Sequence, residues 1–202
     1  MKGEKLLKNV NVKVEKVSVE VFNKMAYREE SDGLIALSRP KDLSLNKVIL
    51  STNPFVILLE SVEKPGNLGA ILRTADAANV DAVIVCDPKT DVYNPNTIRS
   101  SIGCVFTRQV VACTSQDALK WLKQNNFCVF ASEPVASESY YIADFKKPTA
   151  IVLGSEADGL SEFWISNADQ RIKIPMKGYS DSLNVSVSAA ILTFEAMRQR
   201  NI

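Results

Sequence analysis

The stretch that decides the fold runs from Ile174 to Ala190 and reads IPMKGYSDSLNVSVSAA. A short apolar strand ends at Pro175, and a loop with Gly178 separates it from a helix that we expect to start after Asn184. The side-chain oxygen of Asn184 can accept a hydrogen bond from a first-turn amide of that helix, as N-cap residues do. The stretch therefore predicts a strand, a loop and a capped C-terminal helix.

This helix carries two apolar faces. The helical spacing predicts one buried face made of Val187, Ala190, Ile191, Phe194 and Met197. A second apolar face is made of Ala189, Leu192 and Ala196. Two such faces indicate neighbours on two sides of the helix. Because a single sheet covers only one of them, we expect the other to lie in a dimer interface.

The composition is that of a globular protein: 202 residues, of which 46% are hydrophobic and 23% are charged. No apolar run approaches the roughly 20 residues of a membrane span, and no apolar signal core follows the N-terminus. The cysteines lie among apolar residues without C-x-x-C spacing, at Cys86, Cys104, Cys113 and Cys128. We therefore expect buried, reduced thiols in a cytoplasmic protein, without disulfides or a zinc site.

The net charge is only +1, and the chain contains no histidine. Any basic surface for a nucleic acid must therefore be local. The lack of histidine removes the commonest general base and the commonest metal ligand together. Catalysis would have to use Arg, Lys, Glu, Asp, Tyr, Ser or Cys, and we predict no metal site.

From residue 54 onward, apolar strands alternate with helices. Strands are predicted at 55–60, 82–86, 110–112, 127–131, 149–153 and around 172, and helices at 68–78, 95–102, 116–124 and 161–166. Continuous apolar strands separated by helices indicate an α/β fold, with a mainly parallel sheet covered by helices on both faces.

Residues 1–46 contain too little apolar material for an independent domain. The alternating segments 10–14 and 17–21 and the apolar run 33–37 predict short strands. We interpret residues 1–46 as a short N-terminal extension or the remnant of a domain, joined by a linker at 41–47 to a main domain that spans residues 47–202.

Two further motifs follow buried strands, at the edge where open α/β sheets bind ligands. EKPGNLGAILRTA (63–75) places Asn67 at a helix start and Arg73 nearly two turns along it. IVLGSEADGL (151–160) ends a strand at Gly154 and places Glu156 just beyond. The structural alternatives are a helix cap for Asn67, a surface salt bridge for Arg73 and loop-amide binding for Glu156.

A dinucleotide site is a competing interpretation of the first motif. Asp87 lies about 20 residues beyond Gly66, at the end of the next strand, where a ribose-binding acid belongs. The turn is Gly-x-x-Gly, however, and lacks the first two closely spaced glycines of G-x-G-x-x-G. The sequence therefore favours a dinucleotide-dependent oxidoreductase only weakly.

The three motifs together resemble the signature motifs of the SpoU/TrmH family of RNA 2′-O-ribose methyltransferases, in the SPOUT superfamily. The matching patterns are GNxGAxxRTA, LGSExxG and IPMxGxxxSLNVSVS, with DxYNP at 91–95 and RSSxG at 99–103 between the first two. The resemblance extends from Phe55 to the C-terminus in order and spacing. The residues of the N-terminal extension also resemble the tail of the family's RNA-binding extension, which is short here.

The resemblance implies a deep trefoil knot formed by the C-terminal segment, a property that pattern reasoning alone would not propose. It also implies a homodimer with the C-terminal helix in the interface. The cofactor it implies is S-adenosylmethionine, bound in the knot largely by backbone groups of the second and third motifs. By motif position these are Gly154, Ile174 and Leu183, with Leu153 and Met176 as neighbours. A side chain at Gly154 would then occupy space that the cofactor needs and would strain the turn.

By motif position, the resemblance makes Arg73 the residue that activates the ribose 2′-hydroxyl, as a base or as an electrostatic stabiliser. Asn67, Glu156, Ser182 and Asn184 match the other polar active-site positions. We expect Glu156 to orient Arg73 or Asn67, and Ser182 and Asn184 to position the ribose and the loop. Arg99 and Lys177 are candidates for phosphate contact, with a solvated surface role as the alternative.

The function implied is methylation of a ribose in rRNA or tRNA, with RNA as partner and no membrane or DNA partner. A second interpretation is an RNA-binding dimer that keeps the knot but has lost activity; the presence of all five polar motif residues argues against it. The sequence leaves open which RNA and which nucleotide are recognised.

Overall fold

The computed structural model of the chain describes residues 12–27, 33–41 and 44–200. The chain divides into two compact units, residues 1–41 and 42–202. The division follows Lys41, the first residue of the segment that the sequence predicts to be a linker. The interpretation of residues 1–46 as the remnant of an RNA-binding domain stays a prediction.

The described part of the first unit contains the helix α1 (Val19–Met25). The Ser18 hydroxyl accepts a hydrogen bond of 3.3 Å from the Val21 amide and caps this helix, and Lys24 donates to Glu20 one turn earlier. These local contacts stabilise a helix where alternation predicted a strand at 17–21, so that prediction is wrong. Residues 12–14 and 33–37 form no strand either, and residues 10 and 11 lie outside the described residues.

In the described part of the second unit, seven strands form one sheet, in the order β3-β2-β1-β6-β4-β7-β5. The strands are β1 (Phe55–Glu60), β2 (Ala82–Cys86), β3 (Gln109–Cys113), β4 (Cys128–Ser132), β5 (Glu138–Ser139), β6 (Thr149–Leu153) and β7 (Gln170–Lys173). Every neighbouring pair is parallel. The predicted parallel sheet is confirmed, and all its carboxyl ends lie at one edge.

Helices follow most of the strands. They are α2 (Pro65–Ala77), α3 (Pro95–Ser100), α4 (Cys104–Thr107), α5 (Ser115–Gln124), α6 (Glu162–Asn167) and α7 (Val185–Arg200). Single 3-10 turns lie at Leu45–Lys47 and Tyr140–Ile142. Within the described ranges, no helix combines the length and the apolar character needed to cross a membrane.

Both faces of the sheet are covered, as the apolar strands predict. Alternate residues of β1 point to opposite sides: Ile57 packs with α2 and α7 in one core, and Leu58 packs with α5 and α6 in the other. The largest fully buried side chain of the second core is Trp164 of α6. Because β1 is buried on both faces, its sequence is apolar from Phe55 to Leu59, and only its last residue, Glu60, is charged.

The helix α7 buries the apolar face that the sequence analysis named second, and not the face that it predicted to be buried. Ala189, Leu192 and Ala196 are fully buried against the first core. The face predicted to be buried is instead partly open in the single chain, because Val187 and Phe194 are 45% and 43% exposed. The chain itself therefore covers one of the two apolar faces and leaves the other accessible.

The C-terminal end of α7 is hydrogen-bonded to the residues that precede β1 and β6. The Arg200 guanidinium donates to the carbonyl oxygens of Phe145, Asn53, Pro54 and Lys147, and its carbon lies 5.2 Å from the ring centre of Phe55. Gln199 donates to the Ala143 carbonyl and accepts from the Phe145 amide. These contacts hold the last turn between residues 53–54 and 143–147. The threading of the knot stays a prediction.

The four cysteines carry free thiols. Only Cys86 is buried, so the prediction of burial is wrong for Cys104, Cys113 and Cys128, which are half-buried. Cys86 and Cys113 are direct register neighbours on β2 and β3. A hydrogen bond from the Cys86 thiol lowers the pKa of Cys113, and the same contact together with burial raises the pKa of Cys86.

Candidate functional site

The sheet brings the three motif loops to one edge. Leu59 of β1 pairs with Leu153 of β6, so the loops that follow these strands leave the edge side by side. Ser132 of β4 pairs with both Leu153 and Ile172. The three loops therefore emerge within four adjacent strands, β1-β6-β4-β7. This is also where the strand order reverses, the position at which open α/β sheets bind ligands.

One side chain from each motif joins a continuous polar chain at this edge. The Asn184 side-chain amide donates a hydrogen bond of 3.3 Å to the side-chain oxygen of Asn67. The Asn67 amide in turn donates to the carboxylate of Glu156. Asn67 was one of the two partners expected for Glu156. Residues that are 89 and 117 positions apart in sequence thereby fix each other's orientation.

Asn184 also has the capping role that the sequence predicts. Its side-chain oxygen accepts from the Ser186 amide at 2.9 Å and from the Ser186 hydroxyl at 2.6 Å. The cap takes the oxygen, so the amide nitrogen points away from the helix toward Asn67. One residue therefore starts α7 and links it to the first motif.

The second-motif loop, residues 154–160, folds back on itself. Ser155 and Gly159 exchange two backbone hydrogen bonds of 3.1 and 3.0 Å, and the Ser155 hydroxyl accepts from the Asp158 amide at 3.1 Å. Gly159 has a φ of +69°, in the left-handed region that favours glycine. This closed loop presents Glu156 at its exposed tip.

Gly154 is required by this loop itself. A Cβ atom at Gly154 would overlap the Gly159 carbonyl group and the Leu160 nitrogen. The expectation that a side chain at Gly154 would strain the turn is therefore confirmed, and the expectation that it would occupy cofactor space stays a prediction. The first atoms that such a side chain meets belong to the protein backbone.

Arg73 lies on the exposed side of α2. It forms no hydrogen bond or ion pair with another described residue, and Glu156 does not reach it. At a rise of 1.5 Å per residue, Arg73 is about 9 Å further along the helix than Asn67. Arg99 and Lys177 are also exposed and without an ion pair to any part of the chain that is described. These cations are available to a ligand from outside the chain.

Among the described contacts, Ser182 and Leu183 form no hydrogen bond with the polar chain. The Ser182 hydroxyl donates to its neighbour Asp181 at 3.0 Å, and its carbonyl accepts from Ser180. Leu183 is 39% exposed. Sequence reasoning placed both residues in the site, and the structure places them on the open loop that leads to it.

The backbone of the third-motif loop offers free polar groups. Ile174 packs against the first core and Met176 is half-buried. Among the described residues, the backbone amides of Met176 and Leu183 have no backbone partner. Such amides would otherwise be paired or hydrated, so this loop fits a ligand that is held by main-chain groups.

An ion pair connects the first motif to the loop after β2. Lys89 and Glu63 lie 2.6 Å apart. The hydrogen bond from Lys89 and its positive charge lower the pKa of Glu63 and raise that of Lys89. Both side chains are about half exposed, so this contact contributes little to stability.

The model of the SpoU rRNA Methylase family matches residues 54–194. The chain belongs to this family. Among curated relatives of the SpoU chain, the 23S rRNA (guanosine-2′-O-)-methyltransferase RlmB of Ralstonia nicotianae is 33% identical over 183 residues, covering 88% of the chain and 74% of the relative.

Two solved structures support the same assignment. A crystal structure of an RNA 2′-O ribose methyltransferase superposes with a TM-score of 0.80 at 42% identity, covering 93% of the chain and 72% of that structure. The SpoU methyltransferase AviRb from Streptomyces viridochromogenes, in complex with AdoMet, has a TM-score of 0.76 at 29% identity, covering 80% of the chain and 66% of that structure. The predicted family is confirmed.

The features behind the dinucleotide alternative have structural roles in this SpoU chain. A Cβ at Gly69 would lie 2.7 Å from the Ser101 backbone nitrogen, so this glycine allows α2 to pack closely on α3. The Asp87 carboxylate accepts from the Ser115 amide at 3.1 Å and from its hydroxyl at 2.6 Å. The structure therefore favours a packing glycine and a capping acid over a ribose site.

Sequence reasoning missed Glu60 in this SpoU site. Glu60 ends β1 and is only 7% exposed. Its carboxylate accepts from the amide and the hydroxyl of Ser161, immediately after the second-motif loop. The available signal was an acid at the end of the apolar run FVILLE, because a buried carboxylate requires partners.

Proposed function

We propose that this protein transfers a methyl group from S-adenosylmethionine to the 2′-hydroxyl of a ribose in RNA. The observation that carries the proposal is the polar chain Asn184–Asn67–Glu156, which joins all three motifs. Arg73 lies on the same helix as Asn67, and its side chain has no partner among the described residues. The relatives named as RNA 2′-O-methyltransferases and the AdoMet complex of AviRb support it.

The methyl donor would be held by main-chain groups of the second and third motifs. Gly154, Ile174 and Leu183 would supply these groups, with Leu153 and Met176 as apolar neighbours. The Leu183 amide, which has no backbone partner among the described residues, and the closed loop after Gly154 favour this assignment. When bound, S-adenosylmethionine supplies an electrophilic methyl group and a neutral leaving group, so the transfer needs no metal.

The residues of the chain would orient and stabilise the attacking oxygen. An arginine side chain stays protonated in proteins, so we assign Arg73 to stabilise the developing alkoxide while an RNA phosphate oxygen accepts the proton. Asn67 and Glu156 would fix the geometry beside it, and Ser182 and Asn184 would position the ribose and the loop. Holding the reacting groups in line supplies much of the rate acceleration.

We also propose that the protein works as a homodimer through α7. Val187 and Phe194 lie seven residues apart on the same side of the helix and are each nearly half exposed, while the opposite face is buried in the core. An apolar face of this kind is better covered by a second copy than by water. We place the reaction in the cytoplasm, because the four thiols are free.

The experiment is a transfer assay with radiolabelled S-adenosylmethionine and purified protein. Transcripts of 23S rRNA are the first substrate, because the Ralstonia nicotianae relative is named for that RNA, and a tRNA pool is the second. We expect label in nucleosides whose 3′ phosphodiester resists alkaline hydrolysis, the signature of a methylated 2′-oxygen. Donor binding without transfer to either RNA would favour the inactive RNA-binding dimer.

A further inference from the structure

Glu60 is a buried carboxylate with two partners in a distant part of the chain. It ends β1, is 7% exposed, and accepts hydrogen bonds from the Ser161 amide at 2.8 Å and the Ser161 hydroxyl at 2.6 Å. Each carboxylate oxygen takes one of these bonds. Ser161 lies 101 residues later in the sequence, so the contact connects two separate motifs.

Ser161 closes the second-motif loop. The start of this loop is fixed by strand pairing, because Leu153 pairs with Leu59, the residue before Glu60. The end of the loop is fixed by Glu60 itself. Both ends of residues 154–160 are therefore held by the carboxyl end of one strand. The loop between them is closed by the Ser155–Gly159 bonds and carries Glu156 to Asn67.

We propose that Glu60 is a positioning residue for the methyl donor. Resting on the proposed function, this inference says that Glu60 holds the second-motif loop in the geometry that binds S-adenosylmethionine. In this inference Glu60 acts through the loop, because it is buried and each of its oxygens accepts from Ser161. Without the carboxylate, the Ser161 amide loses its partner and the end of the loop is released.

Asp81 provides a matched control for this inference. Its carboxylate accepts from the Ser51 amide at 2.7 Å, the Ser51 hydroxyl at 3.1 Å and the Phe55 amide at 2.7 Å. Asp81 precedes β2 and therefore lies at the amino edge of the sheet, opposite the three motif loops. Loss of Asp81 removes similar hydrogen bonds without releasing a motif loop.

The experiment compares Glu60→Ala, Glu60→Gln, Ser161→Ala and Asp81→Ala in the full chain. Donor affinity is measured by isothermal titration, KM is measured separately for donor and RNA, and Tm is recorded with and without donor. We expect Glu60→Ala to weaken donor binding by about 10-fold or more, the scale of a lost charge-assisted hydrogen bond. The KM for RNA should stay within about threefold of the wild-type value, well below that effect.

The other variants separate positioning from stability. Glu60→Gln should recover most of the donor affinity, because its amide can accept from the Ser161 amide and donate to the Ser161 hydroxyl. Ser161→Ala loses one of the two bonds and should lie between Glu60→Ala and the wild type, which tests the inference even if Glu60→Ala does not fold. Asp81→Ala should lower Tm and leave donor affinity unchanged.

Two outcomes would overturn the inference. One is a wild-type donor affinity in both Glu60→Ala and Ser161→Ala, or in Ser161→Ala alone when Glu60→Ala is insoluble. The other is an equal loss of affinity in Asp81→Ala, which would make the effect one of general stability. A wild-type protein that binds no S-adenosylmethionine at all would instead refute the proposed function.

Discussion

The side-chain amide of Asn184 donates to the side-chain oxygen of Asn67 across 3.3 Å, while the Asn184 oxygen caps the helix α7. The oxygen and the nitrogen of the Asn184 side-chain amide therefore have different roles. The oxygen stabilises the start of the C-terminal helix, and the nitrogen orients Asn67, the middle residue of the polar chain that ends at Glu156. Substitutions that keep one end can separate the two roles.

Replacing Asn184 by Asp should keep the helix cap and break the link to Asn67. Asp caps helices about as well as Asn, so the stability should change by less than about 1 kcal/mol. The new carboxylate cannot donate to Asn67 and adds negative charge near Glu156, so methyl transfer should fall by about 10²-fold. Thermal melts and single-turnover transfer assays measure the two effects. Wild-type turnover in Asn184→Asp would show that the link is not needed.

Replacing Arg73 by Ala should leave donor binding nearly intact and reduce methyl transfer by about 10²-fold or more. Arg73 is exposed and has no partner among the described residues, so its loss should not affect folding. Lys123→Ala, which removes an exposed cation from α5 on the other face of the sheet, is the control and should be active. Titration with S-adenosylmethionine and initial transfer rates test both variants. Near-normal turnover in Arg73→Ala would rule out the assigned role.

Introducing a charge on the open face of α7 should produce monomers. Phe194→Glu places a carboxylate on the face that we propose to lie between two copies, so light scattering should show half the wild-type mass with a folded circular dichroism spectrum. Leu192→Glu is the contrasting variant, because Leu192 is fully buried and a charge there should unfold the chain. A monomeric wild type at micromolar concentration would contradict the dimer.

The paired thiols of Cys86 and Cys113 should titrate in a fixed order. The hydrogen bond from Cys86 lowers the pKa of Cys113, so Cys113 forms its thiolate at a lower pH than an ordinary thiol and should be alkylated first. Cys86→Ala removes that donor and should move the pH midpoint for alkylation of Cys113 upward. Mass spectrometry after timed iodoacetamide treatment follows each site. Faster labelling of Cys86 than of Cys113 would refute the assigned direction.

Strands with a continuous apolar sequence were predicted correctly, whereas contacts between residues far apart in the sequence were not predicted. The core strands were predictable because β1 is buried on both faces and its apolar run is continuous. The strand predicted at 17–21 failed because Ser18 and the Glu20–Lys24 pair form a helix outside any apolar core. The contact between Glu60 and Ser161 spans 101 residues, and no local sequence pattern predicts that Ser161 is the partner of Glu60.

The faces of α7 show a second limit. Periodicity finds two apolar faces but cannot tell which of them the same chain covers. Ala189 and Ala196 are small, which allows the helix to lie close to α2 and the sheet, while the larger Phe194 remains partly exposed. The sequence therefore predicted the helix and its cap, and only the packing showed which face is open.

Replacing Gly154 by Val should weaken S-adenosylmethionine binding strongly, through displacement of the loop. The added Cβ would overlap the backbone of Gly159 and Leu160, so residues 154–160 must move and Tm should fall as well. Leu183→Ala is the milder comparison, because Leu183 is partly exposed and its truncation removes apolar contact worth about 1–3 kcal/mol at most. RNA affinity should change less than donor affinity in both variants, since the proposed phosphate contacts come from Arg73 and other basic side chains. Titrations with donor and RNA, run beside thermal melts, test this, and wild-type donor affinity in Gly154→Val would place the donor site elsewhere.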